Sequence, residues 1–456
     1  MSLQSDSPFV RIVLLNYNGG ESIVRAVAAA VATDWPRDRL QVVCVDNGSS
    51  DGSIDSVAVR YPEVHIVRNG VNLGFPGNNT ALDELGDVDY VALVNSDAFV
   101  EADWLRHLVA RAETDRGIGA VCPKILFSGD FAEIPVNLSA LRNSKRQTIR
   151  LRALRVNGRD QFDRCHVAHG GGRSSDRDGI FEWIFDGSIL RFPLGKDDYA
   201  SESLKVEVEI QVDAACDATI GGVTTALTVA GDRQVVSLVL DAIPPAVAVL
   251  NNVGSWIDQL WIGHERGLFS VDEGEFDSPT EVGAWCGAAV LLRSSMLEDV
   301  GLFDDAFFLY YEDTDLAVRG RERGWRYVTE PSSRVRHDHS ASTIEGSERT
   351  AIYIERNRMM FAVRHASFGE VIRILLEFVL VTVSYAVSEL GRASRQRRKF
   401  DGTVVFRRVN SLSGFFKLLP NALRARKEIA RRRLISRREL AQSLSLGSGV
   451  SDAEGS

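Results

Sequence analysis

The first 125 residues alternate short β-branched runs with stretches of helical periodicity, and this alternation constrains the fold more than any other feature of the sequence. The runs are Phe9 to Leu15, Gln41 to Val45, Val64 to Val67 and Tyr90 to Val94, and the helical stretches are Ile23 to Val31, Ile54 to Arg60 and Asn78 to Leu85. Strands and helices repeated at this spacing predict a parallel sheet with helices on both faces. Ligands of such sheets bind at the carboxyl ends of the strands.

Polar residues follow each predicted strand at the edge where a ligand is expected. Asn16 and Asn18 follow the first strand, Asp46 follows the second, and Asn95 and Asp97 follow the fourth. Because parallel strands end at the same edge of a sheet, these side chains are predicted to gather at one site.

A different period appears between residues 131 and 249. Apolar and polar residues alternate from Leu204 to Val212, which is typical of a half-solvated antiparallel strand, and similar runs occur at Thr148 to Val156 and Val235 to Leu240. We interpret this segment as an inserted β-sandwich-like module. The predicted division of the chain is 9–130 and 250–345 for two halves of one α/β domain, 131–249 for the insertion, 346–440 for a helical basic region and 441–456 for a disordered tail.

Charge and cysteine content indicate the compartment. The formal charge is −9, but residues 391–440 hold sixteen Lys or Arg against three acids, which makes this stretch +13 and the remainder −22. A basic segment on an acidic body suggests an anionic partner, either lipid head groups or nucleic acid. The five cysteines form no CxxC pair, and residues 1–8 carry no export signal, so we expect a cytoplasmic protein.

The segment VDNGSSDGS places carboxylates and small residues where a strand gives way to a helix. Asp46, Asn47, Ser49 and Asp51 could accept hydrogen bonds from a nucleotide base or ribose, and the helix N-terminus could hold an anion. An Asx turn with a helix cap from Ser49 or Asp51 explains the same residues without a ligand.

Two further segments follow along the chain. NLGFPGNN, with Asn72, Gly74 and Asn79, opens a helix with glycines that let backbone approach a ligand. The run ending in Asn95 and Asp97 delivers an acid at a strand tip, where one carboxylate and a diphosphate can bind Mg²⁺ or Mn²⁺. Capping of the next helix is the alternative role of Asp97.

The segment GLFDDAFFLYYEDTDL interleaves aromatic and acidic residues ahead of a helix. A partly desolvated carboxylate there suits a general base, and Glu312, Asp313 and Asp315 are all candidates on this reasoning. Asp315 could also be an ordinary first-turn charge of the helix. His337 ends a later strand, where a neutral imidazole can complete a divalent metal site.

Taken together, these segments resemble the family 2 inverting glycosyltransferases, especially the bacterial rhamnosyltransferase-like branch. The resemblance covers roughly residues 9–128 and 250–365, and the matching segments occur in the expected order: an opening strand that ends in NYN, then VDNGSSDGS, NLGFPGNN, LVNSD, WCGAAVLLR, GLFDDAFFLYYEDTDLAVRGRERGW and VRHDHS. It implies the GT-A fold of nucleotide-diphospho-sugar transferases, with an inserted β-sandwich-like module and a C-terminal helical region.

The resemblance also implies roles for individual residues. Asp46 would lie near the donor base, Asp97 on Mg²⁺ or Mn²⁺, His337 on the metal or diphosphate, and Asp313 would be the catalytic base. The family's DxD motif reads Asn95-Ser96-Asp97 here, so one protein carboxylate on the metal is expected. Donor contacts are expected from Asn16, Asn18, Asp46, Asn47, Ser49, Asp51, Asn72, Gly74, Asn79 and Asn95, and the acceptor and sugar pocket from Trp285, Cys286, Gly287, Tyr311 and Glu312.

The expected reaction transfers a sugar from a nucleoside diphosphate sugar, either dTDP-rhamnose or a UDP-sugar, to a glycan or polyprenyl-linked acceptor in cell-envelope polysaccharide synthesis. Alternatives are a nucleotidyltransferase and a carbohydrate-binding scaffold with an inactive catalytic domain. A Rossmann dehydrogenase is disfavoured because no GxGxxG turn follows the first strand. The basic region has few interleaved aromatics, so we expect no nucleic-acid partner.

Membrane attachment is expected to be peripheral, on the inner face of the plasma membrane. Residues 371–387 are apolar but include Arg373 and Glu377, which are spaced to pair across one helical turn. The run from Phe378 to Val387 is shorter than the ~20 apolar residues that span a bilayer. Packing on the catalytic domain is the alternative for this helix. Oligomerisation through the inserted module is a further expectation.

Overall fold

The structure is a computed structural model that describes residues 7–139, 149–176, 178–212, 215–228, 233–338, 347–395, 397 and 399–448. The strands in this part of the chain are β1 Val10–Asn16, β2 Leu40–Asp46, β3 His65–Arg68, β4 Tyr90–Asn95, β5 Ala98–Val100, β6 Ile118–Phe127, β7 Asp130–Leu138, β8 Ile149–Val156, β9 Arg159–Asp160, β10 His166–Ala168, β11 Arg173–Asp176, β12 Gly179–Ile184, β13 Ile189–Leu194, β14 Leu204–Val212, β15 Cys216–Ile220, β16 Val223–Leu227, β17 Gln234–Leu240, β18 Leu250–Asn252, β19 Ser255–Ile257, β20 Gly263–Glu265, β21 Ala289–Arg293 and β22 Arg326–His337. The helices are α1 Gly20–Val31, α2 Ser53–Arg60, α3 Asn79–Leu82, α4 Trp104–Ala112, α5 Lys196–Tyr199, α6 Ser294–Val300, α7 Glu312–Glu322, α8 Glu348–His365, α9 Phe368–Arg395, α10 Thr403–Arg432 and α11 Arg437–Leu444.

The central sheet has the strand order β3-β2-β1-β4-β21-β6-β22-β5, with β18 paired to β6. The first four strands are parallel, and β21 is antiparallel to both of its neighbours. Both faces of the sheet are buried: Val13, Val43 and Leu93 contribute to one core, while Ile12 and Ala92 contribute to the other. Burial on both faces explains why these strands read as near-continuous apolar runs. The predicted α/β fold class is confirmed.

Register brings the strand ends together. Asn16 lies opposite Asp46 across β1 and β2, and Leu15 lies opposite Asn95 across β1 and β4. The polar residues that follow these strands therefore share one edge, as expected for parallel strands.

The insertion contains two antiparallel sheets, β10-β13-β7-β15-β16 and β11-β12-β8-β14-β17, with β9 on β8. Alternate residues of both sheets, among them Val206, Val208, Ile134 and Val136, form a core of their own. This is the sandwich-like module that the two-residue rhythm predicts. The chain enters and leaves this module at neighbouring positions, because Phe131 pairs with Val247.

Helices α8, α9 and α10 follow the sheet. Helix α9 has 28 residues and is long and apolar enough to cross a membrane by length and composition. The sequence analysis expected a segment too short to span a bilayer, because it considered only the run from Phe378 to Val387. The expected pairing of Arg373 with Glu377 is wrong, because Arg373 Nη2 instead donates to the Gln259 carbonyl at 2.8 Å, while no ion pair joins it to Glu377 in the described residues.

Helix α11 occupies part of the segment predicted to be a disordered tail. Leu440 and Leu444 are buried, and the Gly283 backbone N–H donates to the Leu446 carbonyl at 2.9 Å. Apolar contact with the core on one face of the central sheet therefore orders residues 441–448, which corrects the predicted boundary. Residues 449–456 lie outside the described part of the chain.

Candidate functional site

The loops after β1 and β2 are joined by Asn16, whose side chain is fully buried. Its Nδ2 donates to Ser49 Oγ and Ser53 Oγ at 3.0 Å and to Asp46 Oδ1 at 3.3 Å. Asp46 in turn accepts the Ser49 N–H at 3.3 Å with both oxygens. These bonds hold the strand ends in a fixed arrangement, with Asp46 at its centre.

Asn18 and Asp51 lie on the exposed side of the same edge. Asn18 adopts a φ of 51°, and its Oδ1 accepts the Ser50 N–H at 2.8 Å. Asp51 accepts Ser53 Oγ–H at 2.6 Å, next to the first turn of α2, and the Gly20 N–H at 2.9 Å. Asp51 therefore makes the contacts at the start of α2 that a structural role predicts. Its side chain is also exposed to solvent at the carboxyl edge of the sheet.

The segment from Asn72 to Asn79 packs against the loop that precedes α7. Asn47 is buried, and its Nδ2 donates to the Gly74 carbonyl at 2.8 Å. Asn72 Oδ1 accepts the Gly74 N–H at 2.9 Å, and Asn79 donates to the Phe303 carbonyl at 2.8 Å and accepts its N–H at 3.1 Å. These amides are engaged in positioning loops, which the sequence alone did not reveal.

Gly74 is required by close backbone approach. It has a φ of +71°, and a Cβ there would lie 1.9 Å from the Phe308 carbonyl oxygen, which also accepts the Phe75 N–H at 2.8 Å. Any other residue at position 74 would push the two loops apart.

Asp97 and His337 meet at the carboxyl edge of the sheet. His337 Nε2 lies 3.1 Å from Asp97 Oδ1, and both side chains are buried. The other ring nitrogen, Nδ1, lies 3.0 Å from Asn251 Oδ1. If Nδ1–H donates to this amide oxygen, Nε2 presents a lone pair toward the carboxylate. A cation between the two would satisfy both groups, so these residues fit a divalent metal with Asn251 as the orienting partner.

Within the described ranges, no group of three or more His, Cys, Asp or Glu side chains is placed to hold a metal ion. Asp97 and His337 would thus supply two ligands to a metal, and a bound diphosphate would have to supply further oxygens. Asn95, the residue at the first acidic position of the family motif, donates its backbone N–H to the Ala288 carbonyl at 2.9 Å.

The turn that contains Ala288 also contacts Asp313, through the preceding residue Gly287. The Gly287 N–H donates to Asp313 Oδ2 at 3.0 Å, and Oδ1 accepts the Thr314 N–H at 2.6 Å and its hydroxyl at 3.1 Å. Burial raises the pKa of Asp313, and the hydrogen bonds from Gly287 and Thr314 only partly oppose this. A carboxylate with a raised pKa is better matched to proton abstraction near neutral pH than an exposed one.

The neighbouring acids have different surroundings. Burial alone would raise the pKa of Asp315, but the charges of Arg364 and Arg319 hold the pKa far below its usual range. Arg319, Arg364 and His365 each lie 2.9 Å from Asp315, which is completely buried, so this residue stabilises the helix. Burial raises the pKa of Glu312 well above its usual range, and its Oε2 has no hydrogen-bond partner.

Three residues expected in the acceptor and sugar pocket have distinct positions. Trp285 is 1% exposed and packs edge-on against Phe303, so its side chain supports the loop from behind and is not available to a ligand in this conformation. Burial raises the pKa of the Cys286 thiol well above its usual range, which disfavours the nucleophilic thiolate form. Tyr311 is half-buried beside Phe361, and burial raises its pKa to about 12.

The loop before α7 contains three non-glycine residues in the left-handed region, Phe308, Tyr310 and Tyr311, with φ of 65°, 68° and 71°. Such conformations persist only where the surroundings impose them. Asn357 of α8 does so: its buried Nδ2 lies 2.9, 2.8 and 2.7 Å from the carbonyls of Phe307, Leu309 and Tyr310. Sequence analysis missed Asn357, because a polar residue inside a helix carries no signal for a loop nearly fifty residues away.

Comparison with known proteins identifies relatives. Residues 11–178 match the model of the family described as "Glycosyl transferase family 2". The chain is 25% identical over 394 residues to the N-acetylglucosaminyl-diphospho-decaprenol L-rhamnosyltransferase of Mycobacterium tuberculosis (strain ATCC 25618 / H37Rv), covering 85% of this chain and 96% of that protein. It is also 32% identical over 107 residues to the succinoglycan biosynthesis protein ExoO of Rhizobium meliloti (strain 1021), which is 23% of this chain and 30% of the relative.

Two solved structures are similar in part. GalNAc-T7 with UDP, GalNAc and Mn²⁺ aligns with a TM-score of 0.44 and 13% identity, covering 80% of this chain and 50% of that chain. The mannosyltransferase PcManGT of Pyrobaculum calidifontis, in complex with GDP-Man and Mn²⁺, aligns with a TM-score of 0.40 and 13% identity, covering 94% and 86%.

Proposed function

We propose that this chain, whose residues 11–178 match the family 2 glycosyltransferase model, transfers a sugar, with inversion, from a nucleoside diphosphate sugar to a hydroxyl group of a glycan or lipid-linked acceptor. The observation that carries this proposal is the short series of hydrogen bonds that connects the segment of Asp97 with Asp313. Asn95, two residues before Asp97, is bonded to Ala288, and the adjacent Gly287 donates to Asp313. A donor held at Asp97 would thus lie beside the carboxylate that activates the acceptor.

In the proposed reaction Asp313 removes the proton from the acceptor hydroxyl. The hydroxyl oxygen attacks the anomeric carbon, and the bond from that carbon to the diphosphate breaks with its electron pair leaving on the diphosphate oxygen. The Gly287 N–H and the Thr314 hydroxyl hold the carboxylate in place during this step. Glu312, buried next to Asp313, and Asp315, paired with two arginines, are left out of the proton transfer.

Asp97 and His337 would hold Mg²⁺ or Mn²⁺, which when bound supplies positive charge to the donor diphosphate. Asn251 would orient His337 for this task. The donor base and ribose would lie at the edge formed by Asp46, Asn18 and Asp51.

The name of the Mycobacterium tuberculosis relative supports a finer version of the proposal. That protein is a rhamnosyltransferase for a sugar-diphospho-decaprenol, and this chain spans nearly its whole length. We infer a similar donor class, dTDP-rhamnose or a UDP-sugar, and an acceptor with a lipid-linked diphosphate used in cell-envelope polysaccharide synthesis.

The test is a donor panel read by release of free nucleotide, with and without Mn²⁺ or Mg²⁺, in the presence of a polyprenyl-diphosphate-linked acceptor. Metal-dependent release that requires acceptor is the expected result. Release of inorganic diphosphate from a nucleoside triphosphate would instead indicate a nucleotidyltransferase. Unchanged donor throughout would indicate a carbohydrate-binding protein without activity.

Helix α9 supports peripheral membrane attachment as part of the proposal. Seven of its apolar residues are more than half exposed and recur every three or four positions, so they form one stripe along the helix: Phe368, Ile372, Leu376, Leu380, Val383, Val387 and Leu390. Basic residues at its end, among them Arg392, Arg395 and Lys399, would attract anionic lipid at about 1 kcal/mol each. A lipid-linked acceptor would be met at the surface where it resides.

Cosedimentation with phosphatidylglycerol-containing liposomes tests this attachment. Leu376→Asp with Leu380→Asp should leave the protein in the supernatant, because two charges would enter the apolar stripe. Val59→Asp, on the exposed side of α2, is the control and should sediment like wild type. Failure of the wild type to sediment at low salt would exclude the attachment.

A further inference from the structure

Helix α8 presents three side chains at spacings of four and three residues, Arg349, Tyr353 and Arg356, which we call the α8 arginine face. This spacing places them on one side of a helix. Arg349 Nη2 donates to Tyr353 Oη at 3.4 Å, and the two guanidinium carbons lie 5.8 and 4.9 Å from the tyrosine ring centre. The Phe308 ring packs on Tyr353 at 5.4 Å, so the face borders the loop that precedes α7.

The arginines of this face lack acidic partners. Across the ranges that the structure describes, no carboxylate lies within 4.0 Å of Arg349 or Arg356. Two other arginines nearby are paired: Arg364, on the same helix, contacts Asp304 and Asp315, and Arg407 contacts Glu355. Arg358, also on α8, has no carboxylate partner in the described residues but donates to the Leu260 carbonyl, whereas Arg349 donates to the Tyr353 hydroxyl.

Arg356 is the more buried of the two cations. Its Nη2 donates to the Phe307 carbonyl and its Nε to Asn357 Oδ1, both at 2.8 Å, and its stem packs near Gly414 of α10. Burial lowers the pKa of Arg356. A desolvated cation held only by neutral acceptors is costly, and a bound anion would offset that cost.

The face is near the loop after β1. The hydrogen bond with Tyr353 contributes most to the raised pKa of Arg349, and Tyr17 of that loop adds a smaller electrostatic contribution. Tyr17 and Asp97 each lie two residues beyond the paired residues Leu15 and Asn95, so both follow the same strand ends. At the other end of the face, the Phe308 carbonyl accepts the Phe75 N–H. The face therefore borders the loop after β1 and the loop that precedes α7, the helix whose first turn carries the proposed base.

We propose that the α8 arginine face is a diphosphate-binding site, an inference that rests on the proposed function and adds a binding element outside the sheet. Guanidinium groups bind phosphate oxygens with two parallel hydrogen bonds, and Tyr353 contacts the guanidinium groups of both arginines. The diphosphate can belong to the nucleotide donor or to the lipid-linked acceptor, and the two sources are separable by experiment.

The variants are Arg349→Gln, which removes one exposed cation without a backbone contact, and Arg356→Lys, which keeps the charge but removes the planar fork. Arg431→Gln is the matched control, because this exposed arginine of α10 contacts only Glu428 among the ion pairs of the described residues. Calorimetric titration of each full-length protein with UDP, dTDP and inorganic diphosphate in Mn²⁺ gives the dissociation constants.

If the face binds the donor, Arg349→Gln and Arg356→Lys each raise the dissociation constant of UDP or dTDP about 10-fold or more, as expected for a lost bond to a charged group, and the control does not. If it binds the acceptor, nucleotide affinity is unchanged but the KM for a polyprenyl-diphosphate acceptor rises by a similar factor. Both outcomes support the site.

Unchanged nucleotide affinity together with unchanged acceptor KM overturns the inference and leaves the proposed function intact. Conversely, inorganic diphosphate binding that is lost in Arg349→Gln, in a wild type that transfers no sugar, supports the site and contradicts the proposed function. The two failures are therefore distinguishable.

Discussion

Asn357→Ala tests whether one buried amide holds the loop that precedes α7 in its left-handed conformation. The two hydrogens of Nδ2 serve the carbonyls of Phe307, Leu309 and Tyr310, and Phe307 has a second donor in Arg356. The substitution therefore removes the bonds made by the two hydrogens of Nδ2 and the bond that Oδ1 accepts from Arg356 Nε, three hydrogen bonds in all. At about 1 kcal/mol per bond, the loss in unfolding free energy is about 3 kcal/mol.

The activity should fall further than stability alone explains. Without the amide, Phe308, Tyr310 and Tyr311 can leave the left-handed region, where each costs on the order of 1 kcal/mol or more, and Asp313 follows two residues later. Misplacement of a reacting group by about 1 Å can cost on the order of 100-fold in rate. We therefore expect kcat to drop by about 10- to 100-fold under conditions where the protein is fully folded.

Urea unfolding and steady-state kinetics measure the two effects. Ile354→Ala, on the exposed side of the same helix, is the control and should change stability by less than about 0.5 kcal/mol. Asn357→Asp keeps the shape but places a carboxylate oxygen against the same carbonyls, so it should be at least as damaging as alanine. A stability and kcat equal to wild type in both variants would refute the role of Asn357.

Four further outcomes are expected. Asp313→Asn should keep donor binding, measured by calorimetry, but lose about 100-fold or more in kcat, because the amide cannot accept the proton; near-normal kcat would exclude Asp313 as the base. Since burial raises the pKa of Asp313, kcat/KM should fall with decreasing pH through a value above the ~3.9 of an ordinary aspartate, and a profile that is flat down to pH 4 would contradict this. Asp97→Ala should abolish the Mn²⁺ dependence of donor affinity, while Asp87→Ala, exposed elsewhere, should leave it unchanged. Replacing residues 132–246 by a short linker should leave a soluble catalytic core, because Phe131 and Val247, at the two ends of the insertion, are paired. Persistent insolubility with several linkers would mean that the core depends on the insertion.

The architecture was predictable because its signals are local. Each strand of the first half is a short apolar run, and each is followed by polar residues, so the carboxyl edge with Asp46 and Asp97 follows from parallel pairing. The inserted sandwich was likewise evident from the two-residue alternation of β14. The exposure of α9 was not predictable, since periodicity alone does not distinguish a helix that packs on a core from one that faces outward.

The sequence by itself determined the order of the elements, the edge at which polar side chains gather and the candidate acids before α7. Only the tertiary structure decided how these acids differ. Glu312, Asp313 and Asp315 share one helical turn, but Arg364 of α8 neutralises Asp315, and the Gly287 N–H, from a turn 26 residues earlier, reaches Asp313. The pKa and accessibility of a carboxylate depend on the charges, donors and solvent around it, and distant segments supply these only after the chain has folded.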